Sequence, residues 1–307
     1  MTATSGPGFS LMAEGLGLAL MAETPLVVVD VQRAGPSTGI PTKTEQSDLF
    51  AALFSSHGDN PRVVMAPSSV SGCIEMTVKA FNIAEAYQVP VILLSDQFLG
   101  NRSEVVDPIP LDGLQVHTRQ VAANPVPSDY RRYDASGEGV LPMSAPGISG
   151  GEYTAEGLEH DSRGWPDASH GMHQAQSERR LRKLGPLAIE GGWIEQLGDP
   201  AAPAGLIGWG STGGVIREGI EAAGREGLSV RGIILHLLFP PQSDLLNRIF
   251  EGMDVLYVAE LSSGRQFFHY LGSFYQLPST VVPISRAGGT PFRTAEVLST
   301  LRRQIKE

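Results

Sequence analysis

Arg33-Ala34-Gly35-Pro36-Ser37-Thr38-Gly39 follows directly on the apolar run LVVVDVQ at positions 26–32. In parallel α/β folds, ligands gather at the carboxyl ends of strands, which is where this arginine stands. A guanidinium offers a planar fork matched to a carboxylate, and the neighbouring Gly, Ser37 and Thr38 let a small ligand approach the backbone. The same pattern also describes an arginine salt-bridged within its own loop. Near the start, TATSGPGFSLM sets small hydroxyls, two glycines and a proline ahead of an apolar helical run. A third stretch, Gly208-Trp209-Gly210-Ser211-Thr212-Gly213, is a literal G-x-G-x-x-G between a strand pattern and a helix pattern. Such a turn can seat a pyrophosphate on a helix N-terminus. The fingerprint also wants a carboxylate at the end of the next strand, and Gly232–Leu237 carries none. A tight strand-to-helix turn explains the glycines equally well.

Other reactive side chains have simpler readings. Glu45-Gln46-Ser47-Asp48 is expected to open a helix over Glu45–Ser55, where acidic residues complement the helix dipole. Of seven histidines, His160, His170 and His173 fall in an irregular stretch, are expected to be solvated, and form no metal-ligand spacing. Cys73 is the sole cysteine, which excludes an internal disulfide and a cysteine-ligated zinc or iron–sulfur centre within this chain. Beside Ile74 and Met76 on an expected helix, it reads as a small core residue.

The elements that must position these residues alternate between apolar, β-branched runs and helical patterns, the signature of a parallel α/β architecture. Strands are expected at Leu26–Asp30, Arg62–Ala66 and Pro90–Ser95, with helices over Glu45–Ser55 and Ser69–Tyr87. A second series begins at Gly205: strand LIGWG, a helix from Gly214, strand GIILHL, a helix from Ser243, strand VLYVAE, a helix near Gln266 and strand TVVPIS. Thr290 as N-cap, with Pro291 at the first helical position, is expected to open the last helix. Between the series, about 107–183 loses periodicity and fills with Gly, Pro, Ser and Tyr. The organisation expected is a first domain over 1–190, containing that excursion, and a second over 200–307. A net charge of −10 over 307 residues argues against nucleic acid or an anionic membrane as main partner. No secretory signal and no span-length apolar run is visible, so a cytoplasmic address is expected.

Taken in order, TATSGPGFSLM, VVDVQRAGPSTGIPTKTEQSDL, PVILLSDQFLGN, GLEHDSRGWPD and LIGWGSTGGVIREGI resemble the α subunit of 2-oxoacid:ferredoxin oxidoreductases, the 2-oxoglutarate enzymes in particular. The resemblance implies a thiamine-diphosphate pyrimidine-binding-like parallel-sheet domain followed by a transketolase C-terminal-like α/β domain. It implies oxidative decarboxylation of a 2-oxoacid with coenzyme A to an acyl-CoA, CO₂ and reduced ferredoxin. Thiamine diphosphate is then shared with a β subunit, which with any accessory subunit holds Mg²⁺ and an iron–sulfur cluster. Thr4, Ser5, Gly6, Pro7 and Gly8 match the turn that approaches the aminopyrimidine, and Arg33 the arginine that grips the substrate carboxylate. Thr38 lies in the same substrate motif. Lys43, the next cation after Arg33, becomes a candidate for the distal carboxylate of 2-oxoglutarate. Family α subunits carry, ahead of this turn, a substrate motif of Thr-Pro-Ser type and the glutamate that bonds the pyrimidine. Neither has a counterpart here, and Glu14 follows the turn. The expectation is a chain that needs a front segment and the β subunit for catalysis.

Overall fold

The computed structural model describes residues 1–108, 114–137 and 139–305. Its strands are β1 (Thr2–Thr4), β2 (Leu26–Gln32), β3 (Val63–Met65), β4 (Pro90–Asp96), β5 (Ile194–Gly198), β6 (Ala204–Trp209), β7 (Val230–Leu235), β8 (Leu237–Phe239), β9 (Val255–Glu260) and β10 (Thr280–Ser285). The helices are α1 (Gly6–Ser10), α2 (Ala13–Met21), α3 (Leu49–Phe54), α4 (Val70–Tyr87), α5 (Gln97–Asn101), α6 (His170–Arg182), α7 (Gly185–Ile189), α8 (Thr212–Arg225), α9 (Ser243–Phe250), α10 (Gln266–Phe274) and α11 (Thr294–Ile305).

Two five-stranded sheets result, ordered β1-β2-β4-β3-β8 and β10-β9-β6-β7-β5. Their central strands are parallel, as the unbroken apolar runs predict for strands covered on both faces. β4 is buried at every position. Each sheet nevertheless ends on an antiparallel strand, β8 against β3 and β5 against β7, so the sheets are mixed rather than purely parallel. The expected single strand GIILHL divides at His236. Its N–H donates to Trp193 O (2.9 Å) and its carbonyl accepts from Ala66 N (2.8 Å), carrying the chain from the second sheet to the edge of the first. One apolar core runs between the sheets, joining Val28, Leu49 and Ile92 to Ile207, Trp209 and Phe267.

Several local expectations are corrected. The opening TAT pairs with β2 as an edge strand not foreseen among the expected strands, Thr4 opposite Asp30. Helix α3 starts at Leu49, not Glu45, because the backbone before it is engaged elsewhere, Gln46 N–H donating to Leu261 O (2.8 Å). The last helix opens at Thr294 rather than behind Thr290. Glu296 reaches back to the Arg293 N–H (2.6 Å), the reciprocal half of a capping box. Cys73 lies on α4 as expected but is only half-buried, with Ile74 beside it exposed.

The stretch 107–183 is not wholly irregular, although its residues 109–113 and 138 lie outside the described residues. It ends in α6, capped by Ser169, whose hydroxyl accepts from Met172 N (3.4 Å). The inward face of α6 is Gln176, Arg179 and Arg180, so no apolar period marks it. His160, expected in solvent, is 1% exposed against Tyr133, their ring centroids 4.3 Å apart. His173 is largely exposed and pairs with Glu159 at 2.6 Å.

Candidate active site at the carboxyl edges of the sheets

The carboxyl ends of β1, β2 and β4 in one sheet face those of β6 and β9 in the other, and TKTEQSD (residues 42–48) is laced between them. Gln46 donates through Nε2 to Trp209 O (2.8 Å) and accepts at Oε1 from Leu261 N (3.0 Å), touching the ends of β6 and β9 with one amide. Gln266 repeats the device, donating to Ser47 O (2.6 Å) and accepting from Phe50 N (2.9 Å). Asp96 caps α5 through Phe98 N and Leu99 N and also accepts from Ser211 N (3.3 Å). The G-x-G-x-x-G turn is therefore a junction with the first sheet. Its Gly210 sits at φ +59°.

Arg33 leaves β2 half-buried, at the foot of a loop that closes on itself. Ala34 N–H donates to Lys43 O (2.8 Å), and Ile40 N–H to Ala34 O (2.9 Å). Gly39 is required for this closure. Its φ is +48°, and a Cβ there would lie 1.9 Å from Ala34 O. The loop thus closes on one backbone contact, which sets the Lys43 carbonyl against Ala34, the residue after Arg33. Thr38 is carried to the exposed tip and Lys43 is exposed. The Arg33 Nε hydrogen is buried without a partner.

The Thr4–Gly8 turn runs from β1 into α1, a Pro7-bearing helical turn with Ser5 before it making no side-chain cap bond. Gly8 presses against Thr4, where a Cβ would stand 2.0 Å from Oγ1. At Gly6 a Cβ would stand 3.3 Å from Asp48 Oδ2. That carboxyl oxygen is itself buried without a partner. Asp48 also feels the positive charge of Arg33. It is therefore the residue on which the turn and the arginine converge, and reading it as a dipole complement missed this. The available signal was its place at the end of TKTEQSD, immediately before the apolar helix.

The electrostatics here are unusual for a sheet end. Both oxygens of Asp30 are buried with no hydrogen bond. Burial first, and the nearby Asp48 charge second, push its pKa up to about 8. Burial and Glu45 push Asp48 up to about 6, opposed by Arg33. Across the interface, burial pushes Glu260 up to about 7, although Phe267 and Phe268 N–H groups favour its charged form. Carboxyl groups held near neutral pH beside a cation are a recurrent mark of functional sites.

The residues present fit the pyrimidine end of thiamine diphosphate. Bare glycine backbone, the free Ser5 hydroxyl and an unpartnered carboxyl offer the donors and acceptors that a polar heterocycle needs. Among the described residues, no group of three or more His, Cys, Asp or Glu is gathered to hold a metal ion. No helix among them is long and apolar enough to cross a membrane.

Comparison with known proteins bears directly on this edge. The family described as pyruvate flavodoxin/ferredoxin oxidoreductase, thiamine diphosphate-binding, matches residues 1–179. The 2-oxoglutarate synthase subunit KorA of Methanothermobacter marburgensis is 35% identical, over 98% of this chain and 79% of that protein. The 2-oxoglutarate oxidoreductase subunit KorA of Mycobacterium tuberculosis is 40% identical over 80% of this chain and 37% of its own length. Among solved structures, the 2-oxoglutarate:ferredoxin oxidoreductase of Magnetococcus marinus, with 2-oxoglutarate, coenzyme A and succinyl-CoA bound, superposes with a TM-score of 0.92 at 38% identity. That match covers 99% of this chain and 53% of the other, so this chain spans about half its length.

Proposed function

Because the chain belongs to the 2-oxoacid:ferredoxin oxidoreductase α subunits and contains their thiamine-diphosphate-binding domain, we propose that it binds and orients 2-oxoglutarate for oxidative decarboxylation. The products are succinyl-CoA, CO₂ and reduced ferredoxin, with coenzyme A as acyl acceptor. The observation that carries this reading is Arg33: a half-buried guanidinium at a strand's carboxyl end, its Nε hydrogen unused, beside the Asp48 carboxyl that borders the Gly6 turn.

Thiamine diphosphate, when bound, supplies the electron sink that makes loss of CO₂ from a 2-oxoacid feasible. The work of this chain's residues is positional. Arg33 pairs with the C1 carboxylate and fixes the 2-oxo carbon relative to the Thr4–Gly8 turn. Lys43, on the same closed loop, faces the distal carboxylate, and Thr38 at the loop tip lines the substrate side. Asp48 sets the field between Arg33 and the turn. The diphosphate and Mg²⁺ site and the iron–sulfur cluster are assigned to a β-type partner subunit, with ferredoxin as the final electron acceptor.

The test is to coexpress the chain with its β-type partner and an upstream α segment, and to follow ferredoxin reduction dependent on 2-oxoglutarate and coenzyme A. The expected result is copurification with iron and thiamine diphosphate, and turnover of 2-oxoglutarate well ahead of pyruvate. Faster turnover of pyruvate or a branched-chain 2-oxoacid would move the substrate within the family. No turnover of any 2-oxoacid would overturn the proposal.

A further inference from the structure

At the amino end of β3, the opposite end of the parallel strands from the Arg33 loop, lies a cavity of about 530 Å³. That volume falls within the roughly 300–1,000 Å³ of small-molecule sites. Its walls are apolar: Leu53 and Phe54 from α3, Pro61, Leu181 from α6 and Phe239 at the end of β8. The mouth is open to solvent, Phe54 being 56% and Leu181 53% exposed. Exposed apolar side chains gathered at one opening mark a binding surface more than scattered ones do.

The polar feature of this cavity is Arg62, which lines it and yet is 1% exposed. β3 is clamped between β4 and β8, and the residue ahead of it is drawn in with the strand. The Arg62 Nη1 is buried without a hydrogen bond, and Nε has only the Asn60 carbonyl, at 3.4 Å. Asp59, the one acid on the lining, is exposed and makes no ion pair with it. Burial pushes the guanidinium down to about 10, with no carboxylate near enough to oppose the shift. The other two arginines buried this deeply, Arg132 and Arg179, both meet Glu23. A cation taken out of water without a counter-charge is costly, and buried charges are otherwise paired. Arg62 thus lacks an anion, and the space beside it is open to one.

A single cation at the inner end of an apolar channel calls for a single negative charge on an apolar body. A carboxylate matches the flat fork of a guanidinium, and a hydrocarbon tail gains from burial along the channel wall. We propose that this cavity binds a medium-chain aliphatic carboxylate, its head on Arg62 and its tail running out between Phe54 and Leu181. None of Thr4–Gly8, Arg33 or Lys43 lines it, so the site stands apart from the substrate loop and from the functional reading above.

Titration calorimetry of the 307-residue chain with decanoate tests the cavity without any turnover. Saturable binding at one site is expected, with 1-decanol and acetate each about tenfold weaker or more, because each keeps only half of the recognition. Arg62→Met keeps the length of the stem and removes the charge. It should weaken decanoate about tenfold or more and leave the melting temperature of the free chain equal or higher, since an uncompensated buried charge is gone. Saturating decanoate should raise the melting temperature of the wild type by a few degrees and that of Arg62→Met hardly at all. Leu181→Glu, at the solvent-exposed mouth, sets a like charge in the path of the ligand without touching the core, and should weaken decanoate as well. Arg303→Gln removes a charge from α11 outside the cavity and should leave the affinity as it was. No saturable binding, equal binding of 1-decanol, or undiminished affinity in Arg62→Met would overturn the assignment. If Arg62→Met does not fold, undiminished affinity in Leu181→Glu overturns it alone. A chain that binds no decanoate, and whose Arg62→Met variant no longer assembles with the β-type partner, would give Arg62 to an acidic side chain of that partner instead.

Discussion

The two ends of β2 treat a buried carboxylate in opposite ways. Just before the strand, Glu23 is 0% exposed and ringed by Arg132, Arg179 and Lys183. Burial alone would raise its pKa, but the three cations outweigh it and bring the group down to about 2. Toward the carboxyl end, Asp30 is equally buried and meets no donor at all. The first arrangement is a closed network that fastens the 107–183 excursion to the sheet, since Arg132 and Arg179 come from that excursion and Arg132 also donates to Gln88. The second leaves polar capacity unspent where a ligand is proposed. A fold that satisfies one buried carboxylate with three partners could have satisfied the other. The unspent capacity of Asp30 fits the ligand proposed at that end.

The largest effect expected from this contrast is at the fastened end. Glu23→Gln leaves three buried cations facing a neutral amide, and breaking a buried pair in this way costs about 3–5 kcal/mol. Urea unfolding should show that loss together with early proteolysis in the 107–183 segment. A loss under about 1 kcal/mol would mean that the network fastens nothing. The linkage has a definite sign. A carboxyl pKa lowered in the fold contributes stability that is present above its ordinary value of 4.5 and is lost as pH falls toward about 2.

At the open end, the largest effect is on catalysis. Arg33→Ala in the assembled enzyme should lower kcat/KM for the 2-oxoacid by about 2–5 kcal/mol, the cost of removing one partner of a desolvated charge pair. Its melting temperature should stay close to wild type, because Arg33 makes no hydrogen bond through Nε in the fold. Unchanged kcat/KM would remove Arg33 from the substrate site.

Asp30 provides a smaller effect of the opposite sign. Its folded pKa of about 8 lies above the ordinary 3.8, so its contribution is complete below pH 3.8 and is lost as pH rises toward 8. Asp30→Asn removes that titration. The variant should gain on wild type steadily as pH rises from about 4 toward 8, and by little near pH 4. Thermal unfolding across that range, compared with Glu23→Gln, separates the two ends of one strand by the sign of their pH dependence. A constant difference between wild type and Asp30→Asn would show that Asp30 does not titrate there.

The same contrast explains which features were legible in the sequence. Strands β4 and β9 could be read because they are buried along nearly their whole length and so run largely apolar. Arg33 could be read because a strand end, a glycine-rich loop and a cation coincide in a few residues. Helix α6 could not, because it buries Arg179, Arg180 and Gln176 against Glu23 and Glu159, which no hydrophobic period records. Gln46 and Asp48 were hidden for a related reason: their partners, Leu261 and Trp209 for one and Gly6 and Arg33 for the other, lie far away in the chain or across a turn. Strand β8 escaped because the switch between sheets depends on backbone bonds of His236 to Trp193 and Ala66, not on side-chain pattern.

Within the open end, Arg33 and Lys43 form a finer comparison and the smallest predicted effect. The Ala34 N–H bond to Lys43 O ties the two ends of their loop together, yet Arg33 is half-buried and Lys43 is exposed. A cation in water gains little from one carboxylate, about 0.2–1 kcal/mol for an exposed pair, against the larger value of a desolvated one. Lys43→Met keeps the stem length, removes the charge, and leaves the backbone bond to Ala34 intact. Stability and kcat/KM for 2-oxobutyrate, which has no distal carboxylate, should therefore stay near wild type. The preference for 2-oxoglutarate over 2-oxobutyrate should fall by about fivefold, the upper end of an exposed pair's worth, and should shrink further in salt as exposed charges are screened. An unchanged preference would take Lys43 off the distal carboxylate. A fall as large as that of Arg33→Ala would mean that the loop closes over the substrate and buries Lys43 as well, making the two cations equivalent in the bound state.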